Sequence, residues 1–210
     1  SRMADLPWDQ WPDELASVFS RVPSYLMADR RDRGEFLRTF FRRYEGATVE
    51  GIERLVEEIV SEFMLQKVSA AAIRRIREHR AAGHRTMMIT AAAEPFVQPL
   101  APLFDEVIAA RLEVRDGAYT GYLAEPPLVG EARGAWVRRY AELEGADLKA
   151  SYAYADSHSD LALLRAVGNP VAVSPDAALL RVAKRRRWPI EEWQMSGGMP
   201  RVRFPKPAVR

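Results

Sequence analysis

From Ser69 onward the chain alternates helical periods with short apolar runs, and this alternation limits its folding more than any other feature. Strands separated by helices return by crossovers and pair in parallel, with helices laid on the faces of the sheet. Ser69 caps a helix that runs through Ile73 and Ile76 to a stop at Gly83. RTMMIT, from Arg85 to Thr90, is then a buried strand. A helix from Glu94 to about Ala101 and a strand from Glu106 to Ala110 follow. Leu112 to Leu123 reads as a hairpin around Asp116-Gly117, a favoured tight-turn pair. Glu131 to Leu143, Asp160 to Ala166 and Asp176 to Arg186 have helical periods, and Ser151 to Ala155, Pro170 to Val173 and Ile190 to Trp193 read as strands.

Residues 1–68 differ, being helical with little that would make a strand. Val49, Ile52, Leu55, Val56, Ile59, Val60 and Phe63 keep a three-to-four spacing between acidic residues, which is one face of an amphipathic helix over Thr48 to Met64. Asp9 to Val22 and Gly34 to Tyr44 read as further helices, separated by Pro23 and the charged ADRRDRGE stretch. The division expected is a helical unit over 1–68, an α/β core over 69–193 and a basic, Pro/Gly-rich tail over 194–210.

The chain has no cysteine, so disulfides, thiolate metal sites and a cysteine nucleophile are excluded, which fits a cytoplasmic location. No apolar run approaches the roughly 18 to 20 residues of a membrane span, and the N-terminus lacks a signal-peptide pattern. Thirty-one basic residues against 29 acidic ones give a balance of +2, too small to imply a polyanion partner. The run Lys184-Arg185-Arg186-Arg187 ends an amphipathic helix, where cations complement the helix dipole, so no specific nucleic-acid role is read from it.

The stretch with most chemical content is Tyr152 to Leu164, YAYADSHSDLALL. Two aspartates four residues apart sit where an apolar strand gives way to a helix, and ligands of α/β sheets dock beyond the carboxyl ends of the strands. Asp156 is a candidate metal ligand. Asp160, one turn on, would bind through water or hold a cationic neighbour in place. The same residues also read as a helix cap, with Asp156 or Ser157 capping and Asp160 favouring the first turn. Thr90 ends its strand before the small residues Ala91-Ala92, and Gly130-Glu131-Ala132-Arg133 opens a helix with a cation. A strand-end hydroxyl and a solvated surface arginine are their bland readings. His79, His84 and His158 read as surface residues.

Taken together, Thr90-Ala91-Ala92, Gly130-Glu131-Ala132-Arg133 and Asp156-Ser157-His158-Ser159-Asp160 stand in the order of the second, third and fourth motifs of the haloacid dehalogenase superfamily. The chain resembles its phosphoserine-phosphatase-like branch from roughly Ile73 to Trp193, including FVQPLAPLFDEVIAA, LEVRDGAYTGYL and GNPVAVSPDAALLRVAKRRRWPI. The resemblance implies a Rossmann-like parallel sheet with a small helical cap, and a Mg²⁺-dependent hydrolase of small phosphate monoesters. By the same resemblance Thr90 and the Ala91 amide bind the transferring phosphate, Arg133 neutralises it, and Asp156 holds the metal with Asp160 in support. Arginine stands where the family usually has lysine, a larger and delocalised cation.

One departure is plain. The family ends its first strand with Asp-x-Asp, whose first aspartate attacks phosphorus and whose second serves as general acid and base. Before the helical unit this chain has only Asp5 and Asp9, in MADLPWDQW, and neither ends an apolar strand. The family's missing strand lies between those ending here at Thr90 and Ala155. The expectation is a chain that starts downstream of the nucleophile strand and is inactive as it stands, with exposed sheet edges that could pair two copies. The alternative is a catalytically dead phosphate-binding or regulatory domain, fused within a larger multidomain protein.

Overall fold

The computed structural model describes residues 2–7, 10–11, 33–60 and 68–193. The helix expected over Asp9 to Val22, apart from Gln10 and Trp11, lies outside them, as do Arg30, Arg31 and the tail.

Three small sheets form among the described residues. Helix α1, Arg33–Phe41, and helix α2, Val49–Leu55, come first, α2 capped by the Thr48 hydroxyl on the Gly51 amide at 3.1 Å. A π-helical turn, Val56–Val60, continues α2, and the rest of the helix expected to Met64 lies outside the described residues. Helix α3, Ala70–Ala81, starts at Ser69, whose hydroxyl accepts from the Ala71 amide. Strand β1, Met87–Ala93, leads into a short α4, Glu94–Val97, and a 3-10 segment, Gln98–Leu103. The regular helix expected to Ala101 stops early because Pro99 and Pro102 have no N–H to donate. Strand β2, Glu106–Ala110, pairs in parallel with β1.

Strands β3, Leu112–Arg115, and β4, Ala118–Leu123, form the hairpin, with Asp116 and Gly117 both at positive φ as a type I′ turn requires. Helix α5, Gly130–Glu144, ends on Gly145 in the left-handed region. Strand β5, Tyr152–Ala155, helix α6, Leu161–Ala166, strand β6, Asn169–Val173, helix α7, Ala177–Arg186, and strand β7, Ile190–Glu191, complete a parallel sheet of order β5-β6-β7. The α/β architecture with parallel pairing is thus present. No helix among the described residues is long and apolar enough to cross a membrane.

The hairpin joins neither parallel sheet, and the free edge of β4 bonds instead to residues 46–49. Gly46 N–H donates to Tyr119 O at 2.8 Å, Tyr119 N–H to Ala47 O at 2.9 Å, and Val49 N–H to Gly117 O at 3.0 Å. An edge strand with one partner leaves backbone groups to satisfy, and this segment satisfies them. One buried cluster accordingly runs from Met3, Phe41, Tyr44, Ile52 and Leu55 through Tyr119 and Leu112 to Ala93, Phe96 and Ala110. A second cluster of Ala153, Leu164, Ala172, Leu179 and Ala183 lies between β5-β6 and helices α6 and α7. Its alanines let the helices lie close to the sheet.

Between the two parallel sheets there is a break. Among the described residues β1 pairs only with β2, and β5 only with β6. Met87 to Ala91 stay only half-buried although the sequence there is apolar.

Candidate active site

The turn after β5 carries the acidic motif, and its backbone is held from the neighbouring loop. Asp176 N–H donates to Asp156 O at 2.7 Å. Ser157 caps the next turn by accepting from the Ser159 amide at 3.3 Å, and Asp160 N–H donates to Ser157 O at 3.0 Å. The serine-cap reading of the motif is therefore realised, with Ser157 as the cap. It leaves the Asp156 carboxylate exposed, without a hydrogen bond or ion pair among the described residues.

Asp160 meets a cation. Its Oδ1 accepts from Arg133 Nη1, while Arg133 Nε donates to Leu128 O at 3.1 Å. The two side chains are 9% and 13% exposed, so this ion pair is nearly dry. Arg133 sits in the first turn of α5, and Gly134 beside it makes the approach possible. A Cβ on Gly134 would lie 2.8 Å from the Ala162 carbonyl oxygen and 2.9 Å from its carbon, so α5 reaches α6 through a missing side chain. Gly134→Ala is expected to force these helices apart at a cost of about 1–3 kcal/mol, read as a lower urea midpoint. An unchanged midpoint would show that the helices yield freely there.

Thr90 lies within β1 rather than at its end, and the reason is a break in register. Ile89 pairs with Ile108 and Ala93 with Ala110, so β1 uses four steps where β2 uses two. Thr90, Ala91 and Ala92 bulge from the ladder, and Thr90 Oγ1 accepts from the Ala92 amide at 3.1 Å. Bulges of this kind re-aim groups beside active sites. No hydrogen bond or ion pair among the described residues joins Thr90 to Arg133 or Asp156. Arg133 with Asp160 is the pair of candidate residues brought into direct contact.

Asp176 was legible in the sequence only as the start of a helix. Its Oδ1 caps α7, accepting from the Ala178 amide at 3.0 Å and the Leu179 amide at 2.8 Å. Its Oδ2 reaches the acidic turn, accepting from the His158 amide at 2.9 Å and the Ser157 hydroxyl at 3.2 Å. Burial opposes ionisation here, but the hydrogen bonds from Leu179, His158, Ser157 and Ala178 outweigh it and hold the carboxyl below its ordinary value. His79 also differs from its surface reading: it is half-buried, with Nε2 2.8 Å from the Tyr154 hydroxyl and Nδ1 2.9 Å from His84 Nδ1.

A family model for haloacid dehalogenase-like hydrolases matches residues 2–165. The chain belongs to this family. The match spans most of the chain and includes every motif residue named above, from Thr90 to Asp160. Among curated relatives, a probable phosphatase of Mycobacterium tuberculosis is 30% identical over 198 residues, 93% of this chain and 68% of that protein. An "inhibition of morphological differentiation protein" of Streptomyces azureus is 36% identical over 151 residues, 69% of this chain and 53% of that protein. The chain thus spans between about half and two thirds of these relatives' length. A phosphoserine phosphatase solved as a phospho-aspartyl intermediate analogue superposes with a TM-score of 0.63 over 87% of this chain and 81% of its own, at 18% identity. At that identity the likeness is one of fold.

Proposed function

We propose that the chain is the greater part of a phosphomonoester hydrolase that works with Mg²⁺, its site lying at the carboxyl ends of β1 and β5. The observation that carries this reading is the exposed Asp156 carboxylate in the turn after β5, four residues before Asp160, which holds a buried Arg133. Mg²⁺ binds through one or two carboxylates together with water and substrate phosphate, and Asp156 suits that donor set. No cluster of three acidic or histidine side chains occurs among the described residues, so Asp156 supplies one part of the set. When bound, the cation neutralises phosphate charge during transfer.

The chain's own residues would do the rest. The Thr90 hydroxyl and the Ala91 amide, on the bulge of β1, would bind phosphate oxygens. Arg133 would add positive charge, with Asp160 fixing its orientation and supporting the metal side. Residues 1–68 would serve as a helical cap, 69–193 as the core and 194–210 as a tail, in a cytoplasmic protein acting on a small phosphate monoester.

The nucleophile belongs in the break between β1 and β5. Among the described residues β1 pairs only with β2 and β5 only with β6, so each has an edge without a strand, and a parallel strand ending in Asp-x-Asp that paired with both would bring its carboxylates between Thr90 and Asp156. Without it the chain would lack turnover. A second reading, a domain that binds phosphate without hydrolysing it, draws on the Arg133–Asp160 pair, which makes the arginine part of a closed structural unit.

Hydrolysis of an aryl phosphate separates the two. The first reading expects no turnover from the 210-residue chain and Mg²⁺-dependent turnover once an N-terminal extension supplies an apolar strand ending in Asp-x-Asp. A folded extended chain that binds phosphate but stays inactive would favour the second.

A further inference from the structure

The loop after β6 reaches across the site in a way the cap of a helix does not require. Ser174 has φ 38, a left-handed conformation uncommon for serine, and is tied down at both ends. Its N–H donates to Glu191 O at 2.8 Å, and its Oγ accepts from the Trp193 amide at 3.0 Å. Pro175 follows, and then Asp176 grips the acidic turn at Asp156 and at the two residues after it. Its own N–H holds the Asp156 carbonyl, and its Oδ2 holds the next two residues through the Ser157 hydroxyl and the His158 amide.

We propose that Asp176 is the positioning residue for Asp156, fixing the turn so that the Asp156 carboxylate points out of the fold, free to take a cation. This rests on the metal-holding reading of Asp156. The division of labour between the two oxygens carries the inference. Oδ1 alone caps α7, accepting from two amides of its first turn. Oδ2 is given wholly to the neighbouring turn. One oxygen is enough to cap a helix, as the single hydroxyls of Ser69 and Thr48 do, so capping leaves the second oxygen of Asp176 without a task.

Asp176→Asn separates the roles because it is isosteric and asparagine caps helices as well as aspartate does. Its Oδ1 can keep the α7 amides, which leaves an NH₂ group facing the His158 amide, donor against donor. The opposite rotamer sets the NH₂ group against two α7 amides. Asp176→Ser is the second variant: it can cap α7 but is too short to reach His158.

Amide hydrogen exchange and Mn²⁺-induced broadening of backbone amide signals, read on the 210-residue chain by NMR, make the test. In both variants the α7 amides are expected to stay protected. The His158 amide should exchange about tenfold faster or more. Broadening centred on Asp156 should need several-fold more Mn²⁺ than in the parent chain. A His158 amide that stays protected in both variants would overturn the proposal, as would unchanged Mn²⁺ titrations. If the parent chain shows no broadening at Asp156, the metal reading fails and takes the proposal with it, a result distinct from failure in the variants alone.

Discussion

Arg133→Met is expected to destabilise the chain by about 3–5 kcal/mol, because it takes the guanidinium from an ion pair with the Asp160 carboxylate in a nearly dry site. It also removes the donor to Leu128 O at 3.1 Å. A surface pair would contribute far less, and the ion pairs among the described residues include many such: Arg115 with Glu113 is 73% and 42% exposed. The cost should come chiefly from the nearly dry carboxylate that loses this pairing rather than from lost attraction. The double variant Arg133→Met, Asp160→Leu should therefore recover most of it. Urea unfolding of the two variants and the parent chain reads both numbers. A single variant within about 1 kcal/mol of the parent would mean that water reaches Asp160 easily, and that its hold on Arg133 is weak.

Gly168→Ala should be more damaging, at about 3 kcal/mol or more, for a purely steric reason. A Cβ there would lie 1.9 Å from Lys149 O and 2.7 Å from Lys149 C, distances no side-chain rotation relieves. The contact joins the turns that enter β5 and β6. Gly168 N–H donates to Leu148 O at 2.8 Å, and the Asn169 side-chain amide lies 3.3 Å from the carbonyl oxygens of Lys149, Ala150 and Ser151. Separating these turns pulls at the Tyr152–Asn169 end of the β5-β6 ladder, which carries Asp156 at its other end. Gly145→Ala is a useful comparison. Gly145 has φ +68, but a Cβ there would meet nothing within 4 Å, so its cost should be only that of the left-handed backbone, about 1 kcal/mol. Equal losses at the two glycines would remove the close-approach argument.

The alternation of periods that makes the α/β core was legible in the sequence because each signal is local. Ser69 and Thr48 cap helices through their own next turns, Asp116-Gly117 closes a tight hairpin, and Gly145 ends α5 in the left-handed region. Pro99 and Pro102 are local signals too, but the helix expected to Ala101 passed over them where α4 gives way to a 3-10 segment. The motif residues were legible too, since their order along the chain resembles that of a family. What sequence reading missed depends on contacts between distant segments. Nothing local shows that Thr90 to Ala92 leave the β1-β2 ladder, because the bulge exists only relative to β2. The stitching of β4 to residues 46–49 needs the hairpin brought back over a long stretch of chain. Asp176 was visible as the start of a helix but not as a grip on His158, 18 residues upstream.

On the proposed reading, the break between β1 and β5 receives the strand that completes a phosphatase site on Thr90, Arg133 and Asp156. The most direct measurement is Mg²⁺-dependent hydrolysis of an aryl phosphate by three proteins: the 210-residue chain, the same chain extended by an apolar strand ending in Asp-x-Asp, and that extended chain carrying Asp156→Asn. Turnover is expected in the second alone. Metal-dependent turnover by the 210-residue chain itself, lost on Asp156→Asn, would contradict it and place the nucleophile within the residues already present.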